Sequence, residues 1–542
     1  MIDRARKRPV VAAGWQSCER AGRCQAMPRQ TPSSATPGTP DIADPGSADI
    51  FIDPLGLNTE IHPESFRERA VKGTLHTGLA QIIRIPLTFA MQIILGRILL
   101  PEQFGIVAMA TPVIVLIEIF TNLGLAQAVV QREKITQADL NAIYWISLAG
   151  ASLMLLLVVL FSPLIAQMYG QPKVRAIVVI LALQMPIAAI AGHASALMAR
   201  RMQFGAIAIV DVTGTVTTFV AAITSALLGA GSWSIVIGTM AGTLTRAILD
   251  RHLSGFRPGR PTWTPATSEM LGFGGKLIST SLLNYVSNYS NTVVIGILMG
   301  ARTLGLFDRS FALVLRPIAS VTLPVTRVAV PLLSRVRSDS ERYGNAFAAM
   351  LQGMVLIAMP GLITASLLAR DVVLMLVGPN WFEMVPMFSA ISIAAIFQAL
   401  SGASSWLFES QNRAGEQISV AWWSGVLIVV SLLCGLRFGA VGVAISYAIF
   451  APFFHGLYLW VATRRGPVTR AMAARAIYPL LIAAIGAATG AFLVDRFVPG
   501  LYVRVVMGGV AAYALAGAVL LTFPEGRKII NSLFSFRWIT RP

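Results

Sequence analysis

TLHTGLAQIIRIPLTFAMQIILG (residues 74–96) decides the fold of this chain. The stretch is apolar and long enough to cross a bilayer, which takes about 20 residues. It nevertheless carries Thr77, Gln81, Arg84, Thr88 and Gln92, stepping by four, three, four and four. That spacing puts all five on one face of a helix. Hydrocarbon rejects such a face, because a guanidinium at mid-bilayer costs about 3 kcal/mol or more. The stretch therefore predicts a membrane helix whose polar side turns toward a bundle interior or a hydrated gap.

The rest of the chain extends the pattern. It has 542 residues, 55% hydrophobic and 13% charged, with a mean hydropathy of +0.69. Soluble domains carry about 25% charged residues. Apolar stretches of spanning length recur from 74–96 to 502–523, and fourteen transmembrane helices are expected. The stretch 306–333 is interrupted by Arg316 and Arg327. The fold class is an all-α integral membrane protein.

Residues 1–70 are a different polymer. MIDRARKRPV is basic, and TPSSATPGTPDIADPGSAD is rich in Pro, Ser, Thr, Gly and Asp. Neither can bury a core, so a disordered cytoplasmic tail is expected. The tail lacks the apolar core of a secretory signal, and Met27 is an alternative start. Cys18, Cys24 and Cys434 have no zinc-type spacing and make no disulfide framework, so no metal and no cofactor are expected.

The net charge of +18 invites a nucleic-acid reading, but its distribution argues against one. When the 43 lysines and arginines are assigned to alternate sides of the fourteen spans, 30 fall on the side of both termini. Nine fall on the other side, and the remaining four of the 43 lie within spans. This is the positive-inside bias of a protein with cytoplasmic termini. No nucleic-acid partner is expected.

The chain also repeats itself. LGRILLPEQFG (95–105) overlays IGILMGARTLG (295–305), matching Gly96 with Gly296 and Gly105 with Gly305. Gln81, Arg84, Thr88 and Gln92 then fall on Ser281, Asn284, Asn288 and Thr292. AGHASALMARRMQFG (191–205) overlays SGASSWLFESQNRAG (401–415) at an offset of 210, which requires a ten-residue insertion in the second copy. The expected organisation is a tail (1–70), a first six-helix lobe (71–252), a cytoplasmic linker (253–275), a second lobe (276–462), two appended helices (463–523) and a cytoplasmic tail (524–542). Six helices is an even number, so the copies enter the membrane in the same sense. Their relating axis then lies along the membrane normal.

Several motifs carry a family resemblance: GRILLPEQFGIVAMA (96–110), NLGLAQAVVQRE (122–133), NYVSNYSNTVVIGILMGARTLGLFDRSFAL (284–313), PLLSRVRSDSERYGNAF (331–347) and VGPNWFEMVPMF (377–388). Together they resemble the polysaccharide transporter (Wzx-type) branch of the multidrug/oligosaccharidyl-lipid/polysaccharide exporter superfamily. The resemblance implies a MATE-like pair of six-helix lobes in the bacterial inner membrane. It also implies alternating-access export of a polyprenyl-diphosphate-linked oligosaccharide for exopolysaccharide, capsule or lipopolysaccharide assembly, beside polymerase and glycosyltransferase machinery. Relatives often have an aspartate where this chain has Asn291.

Candidate site residues follow from charge inside the spans and at their ends. Arg309, Arg316 and Arg327 step by seven and eleven along one helical face. With Arg84, they are the cations a diphosphate headgroup would meet. Gln81, Thr88, Asn284 and Asn288 complete the polar seams. Glu118 and Asp211 are intramembrane acids that could carry a proton or sodium, or else pair with Arg84 and Arg246 at similar depth. His76, His193 and His455 occur singly, and Trp422–Trp423 reads as a packing or interfacial pair. A multidrug cation antiporter and a peptidoglycan-precursor flippase are the alternative functions. No large external loop, no H-E-x-x-H and no intact P-loop is present (Met270 and Leu277 break the spacing around GFGGKL), so an enzyme is not expected.

Overall fold

The computed structural model describes residues 63–121, 135–261 and 265–535, and every regular element among them is helical. The first run is α1 (Pro63–Ile98), α2 (Pro101–Thr121), α3 (Gln137–Tyr169), α4 (Pro172–Ala182), α5 (Gln184–Arg200), α6 (Phe204–Leu227) and α7 (Ser232–Ser254). The stretch Pro265–Arg335 leaves helical geometry at Gly300 (φ 80, ψ 178), which divides it into α8 (265–299) and α9 (301–335). Next come α10 (Ser340–Leu367), the short α11 (Ala369–Leu376) and a 3₁₀ turn (Pro379–Met384). The chain continues with α12 (Val385–Ser410), α13 (Ala414–Leu436), α14 (Gly439–Ala462), α15 (Arg470–Phe497), α16 (Leu501–Leu521) and α17 (Pro524–Ser535).

Local chemistry sets these ends. The Thr136 side chain accepts from the Asp139 amide, and Asp139 returns a bond to the Thr136 amide, closing a capping box on α3. Asp339 caps α10 by accepting from the Glu341 and Arg342 amides, and Thr469 caps α15. Pro101 and Pro172 start α2 and α4, where the missing N–H is no loss.

Twelve stretches of the described residues are long and apolar enough to cross a membrane. Pro172–Arg200 is formed by α4 and α5 end to end, and Tyr289–Ala319 runs through the Gly300 break. The helix α7, rich in Ser and Thr and carrying Arg246, is not among the twelve.

The repeat read from the sequence is present in the backbone. Among the described residues, the non-glycine residues with positive φ are Met202 and Asn412, both at 57° and 210 positions apart. Gly229 (φ 84) and Gly439 (φ 72) are also 210 apart. At the offset of 200, the two halves touch reciprocally. A Cβ on Gly105 would overlap the Ala301 carbonyl, and one on Gly305 would overlap that of Pro101. Each contact is the other's image, as at a two-fold axis. The extra residues of the second copy fall in one place. Only Gly170 and Gln171 join α3 to α4, whereas α11 and the 3₁₀ turn separate α10 from α12.

Packing differs between the two ends of the bundle. At the Gly105–Gly305 crossing one apolar core includes Leu95, Phe104, Met109, Ile177 and Ala226 from α1–α7 together with Leu304, Phe307, Val373, Trp381 and Phe388 from α8–α12. At the opposite end the described residues form separate cores. Leu140, Ile143, Tyr144, Leu197 and Phe256 pack within the first run. Leu333, Tyr343, Phe347, Trp406 and Phe408 pack within the second, joined by Ala473 to Leu520 of α15 and α16. The appended pair is anchored on α10 and its exit: Gln352 donates to the Ala476 carbonyl (3.0 Å), and Arg504 pairs with Asp371 (3.0 Å).

Three boundaries differ from the sequence reading. The helix α1 starts at Pro63, inside the expected tail; α8 starts at Pro265, inside the expected linker; and α17 occupies part of the expected C-terminal tail. The motif at 122–133, like Met27, Cys18 and Cys24, lies outside the described residues.

Two substitutions test this architecture. Gly105→Val is expected to destabilise the protein by about 2–3 kcal/mol through overpacking, read as thermal melting in detergent. Gly78→Val, which has open space, serves as its control. Met202→Asn takes the residue of the equivalent turn and is expected to raise the melting temperature, because an ordinary side chain in the left-handed region costs about 1 kcal/mol.

Candidate functional site

The polar seam of α1 turns toward α6. Arg84 donates to Asp211 Oδ2 at 2.8 Å, and the side chains remain 29% and 38% exposed. Gly73 lies against Phe204, and Gly205 faces His76, so the first turn of α6 meets α1 about three turns after its start and the two run side by side from there. Thr77 donates to the Gly73 carbonyl, Gln81 and Thr88 are half-buried, and Gln92 is buried. The opposite side of α1, with Leu79, Ile82 and Ile83, is apolar and exposed.

Behind the Arg84–Asp211 pair a polar chain crosses the first run of helices. Thr215 donates back to the Asp211 carbonyl (2.8 Å) and accepts from Arg246 (3.2 Å), whose stem lies across Gly214. Arg246 is within electrostatic reach of Asp211, Arg84 and Asp250. Asp250, in turn, accepts from Ser195 of α5 at 2.8 Å. Depth alone suggested that Asp211 pairs with Arg246. Instead Arg84 takes the Asp211 carboxylate, because α1 packs alongside α6 and brings the guanidinium to it.

The second polar group lies where α2, α8 and α9 meet. Glu118 and Arg316 are exposed, Asp308 is half-buried, and Tyr289 lies within electrostatic reach of all three. Tyr285 and Tyr289 stack one turn apart, with centroids 5.4 Å apart and planes at 25°. At 1.5 Å per residue, Tyr289, Arg84, Arg316 and Glu118 fall about 10–20 Å below the crossing. Arg327 is exposed further along α9. Asn284 and Asn288 are on α8, but their side chains lie outside the described residues.

Arg309 sits in different surroundings from its helix-mates. It is 4% exposed, its guanidinium carbon is 3.6 Å from the centre of the Phe104 ring, and its buried Nε has no hydrogen-bond partner among the described residues. Trp381 completes the cage: it meets Phe104 edge-on at 5.4 Å and donates Nε1–H to the Gly96 carbonyl at 2.7 Å. Arg97 donates to the Leu376 carbonyl (3.1 Å) and to that of Met375 at the end of α11, and Arg302 pairs with Glu383 (2.9 Å). The inserted connector is thus tied to both runs of helices at the crossing.

Sequence reasoning singled out the charges and missed the aromatics. Tyr285 and Tyr289 carried an available signal, since an i, i+4 pair shares a helix face. The Phe104–Trp381–Arg309 cage joins three elements and had none. Two of the lone histidines are held in packing, His193 between Ser147 (3.3 Å) and the Ala189 carbonyl (3.0 Å) and His455 against Ser401 (2.6 Å), whereas His76 is exposed and bonds the Lys72 carbonyl (2.7 Å).

These features define a multi-pass, all-α membrane protein built from two like runs of helices. The family description "Polysaccharide biosynthesis protein" matches residues 94–386, more than half of the chain, and the chain belongs to that family. This agrees with the resemblance to the polysaccharide transporter branch. The chain is 21% identical over 388 residues to the lipopolysaccharide biosynthesis protein WzxC of Escherichia coli (strain K12), covering 71% of this chain and 79% of that one. It is 23% identical over 466 residues to the succinoglycan biosynthesis transport protein ExoT of Rhizobium meliloti (strain 1021), covering 84% and 93%. Its fold is similar to the lipid II flippase MurJ in an inward closed conformation, with a TM-score of 0.66, 14% identity and coverage of 83% and 98%.

The Arg84–Asp211 pair is open to a double-mutant cycle. With both side chains about a third exposed, the coupling between Arg84→Ala and Asp211→Ala is expected at about 0.5–1 kcal/mol, measured from melting of the two single variants and the double.

Proposed function

We propose that this chain is a flippase that moves a polyprenyl-diphosphate-linked oligosaccharide across the bacterial inner membrane by alternating access, for assembly of a surface polysaccharide. One observation carries the reading: the described residues of the two halves share a core at the crossing and form separate cores at the other end. Charged residues that lipid would reject lie below the shared core, on α1, α2, α6 and α9. In a protein of the polysaccharide biosynthesis family, a hydrated gap between them is suited to a charged lipid headgroup. The alternatives, a multidrug antiporter and a peptidoglycan-precursor flippase, share the architecture. The excess of arginine over acid in the spans favours an anionic cargo over an organic cation.

In this reading fourteen helices cross the membrane: the apolar set with α7 included and α8 and α9 counted separately. They form lobes α1–α7 and α8–α14, followed by α15 and α16. The Lys/Arg bias puts both termini and the separated ends in the cytoplasm, with the crossing on the far side. Arg84, Arg316 and Arg327 attract the diphosphate, with Gln81, Thr88, Asn284 and Asn288 along the way, and Arg309 is met only when the crossing opens. A proton or sodium competing with Arg84 for Asp211, or taken up by Glu118, couples the cycle. The glycosyltransferases and polymerase that make and extend the oligosaccharide are the expected partners.

Charge exchange tests the roles of the arginines. Arg316→Glu is expected to lower surface polysaccharide about tenfold, the worth of a charge-assisted contact, and to accumulate the lipid-linked intermediate. Arg84→Asp combined with Asp211→Arg restores the ion pair in reverse and is expected to stay defective, because the cation has left α1. Normal export by both inserted variants would overturn the reading.

A further inference from the structure

The charges below the crossing account for a diphosphate but not for recognition of the sugar that follows it. That second requirement directs attention to the group between α2, α8 and α9. Tyr285 and Tyr289 stack at 5.4 Å, present a partly open aromatic surface, and lie mid-way along α8. Around Tyr289 stand two carboxylates, Glu118 from α2 and Asp308 from α9, and one guanidinium, Arg316, again from α9. A pyranose ring has a patch of C–H groups on one face and hydroxyls around its rim. It therefore needs an apolar, rigid surface ringed by hydrogen-bond acceptors. Tyrosine supplies such a surface with only two side-chain torsions and adds a polar tip. A carboxylate accepts from vicinal hydroxyls, and a neighbouring arginine holds the phosphate to which the sugar is joined.

The internal repeat makes the grouping more telling. Positions 200 residues earlier hold Ile85, Phe89, Ala108 and Leu116 in place of Tyr285, Tyr289, Asp308 and Arg316, and Ile318 stands opposite Glu118. Two halves with the same fold thus differ here. Packing of α8 alone would be met by the residues of the first copy. A sugar diphosphate has no two-fold symmetry, and a site that reads it is expected on one side of the gap.

We propose that Tyr285 and Tyr289 form the sugar subsite of this protein, stacking the ring nearest the diphosphate while Glu118 and Asp308 accept its hydroxyls and Arg316 holds the adjoining phosphate. The proposal rests on the flippase reading and assigns to α8 the choice among glycans. It commits to the first sugar only, because the stack spans a single helical turn.

The test uses the full chain in lipid nanodiscs and two families of probe. One is polyprenyl diphosphate without sugar; the other is the same lipid carrying a single glucose, galactose or N-acetylglucosamine. Wild type is expected to bind at least one glycosylated probe more tightly than the bare lipid. Tyr289→Leu and Tyr285→Leu keep apolar volume but remove the ring. Each is expected to cut that affinity about five- to tenfold, in line with the loss of an aromatic contact, and to leave the bare lipid unaffected. Tyr289→Phe keeps the ring and is expected to keep the preference, so it carries the test if a leucine variant fails to fold. Leucine variants that bind every probe like wild type, or that lose the bare lipid equally, would overturn the subsite. So would wild type showing no preference for any sugar. Wild type binding neither family of probe would instead remove the flippase reading on which the subsite stands.

Discussion

The whole arrangement depends on two helices touching backbone to backbone. At Gly105 and Gly305 the space that a side chain would fill is occupied by the other helix's carbonyl, at Ala301 and Pro101 respectively. Without a strong hydrophobic drive between helices in lipid, such close approach is what van der Waals packing and small residues supply. From this contact α2 and α9 leave in matching directions and carry their runs of helices with them. The shared core, the inserted connector and the spread of charged residues toward the other end all follow from where these two backbones meet.

Charge is handled in three ways along that axis. At the crossing Arg309 is withdrawn under Phe104 and Trp381, where ring faces offset part of the cost of leaving water. Further down, Arg84 shares Asp211 and keeps partial access to solvent. Arg316 and Arg327, in the second run, are exposed. In the proposed cycle, a headgroup entering from the end with separate cores would meet exposed cations first, a half-committed one at similar depth, and a sequestered one last. That order suits a cargo that must be attracted, held and then released, since several weak sites in series avoid one deep trap.

Much of this was legible before any coordinates. The step pattern of Thr77, Gln81, Arg84, Thr88 and Gln92 fixes a helix face, and periodicity survives whatever that face eventually touches. The offsets of 200 and 210 read from Gly105/Gly305 and from residues 191–205 reappear in the crossing and in the paired left-handed turns at Met202 and Asn412. What could not be read was lateral neighbourhood. Asp211 has cations at matching depth on two helices, and only the packing of α1 beside α6 chooses Arg84. Arg309 shares its helical face with Arg316 and Arg327, yet the Phe104–Trp381 pair separates it from them, because Trp381 arrives on a connector distant in sequence. Helix starts at Pro63 and Pro265 were missed for another reason: hydropathy reports where lipid begins, and helices continue beyond it.

The direction of the repeat has a consequence for the cycle. Where halves are inverted in the membrane, exchanging their conformations turns one facing state into the other, and symmetry itself supplies the second state. Here the copies run in the same sense, so no exchange of halves converts open-below into open-above. The two states are built from unrelated contacts, and their relative population is free to evolve by changes at one end alone. The inserted connector between α10 and α12, which has no counterpart in the first copy, lies at just one of those ends. Lengthening, shortening or loosening it would tune how long the carrier waits facing each side without touching the residues proposed to meet the cargo.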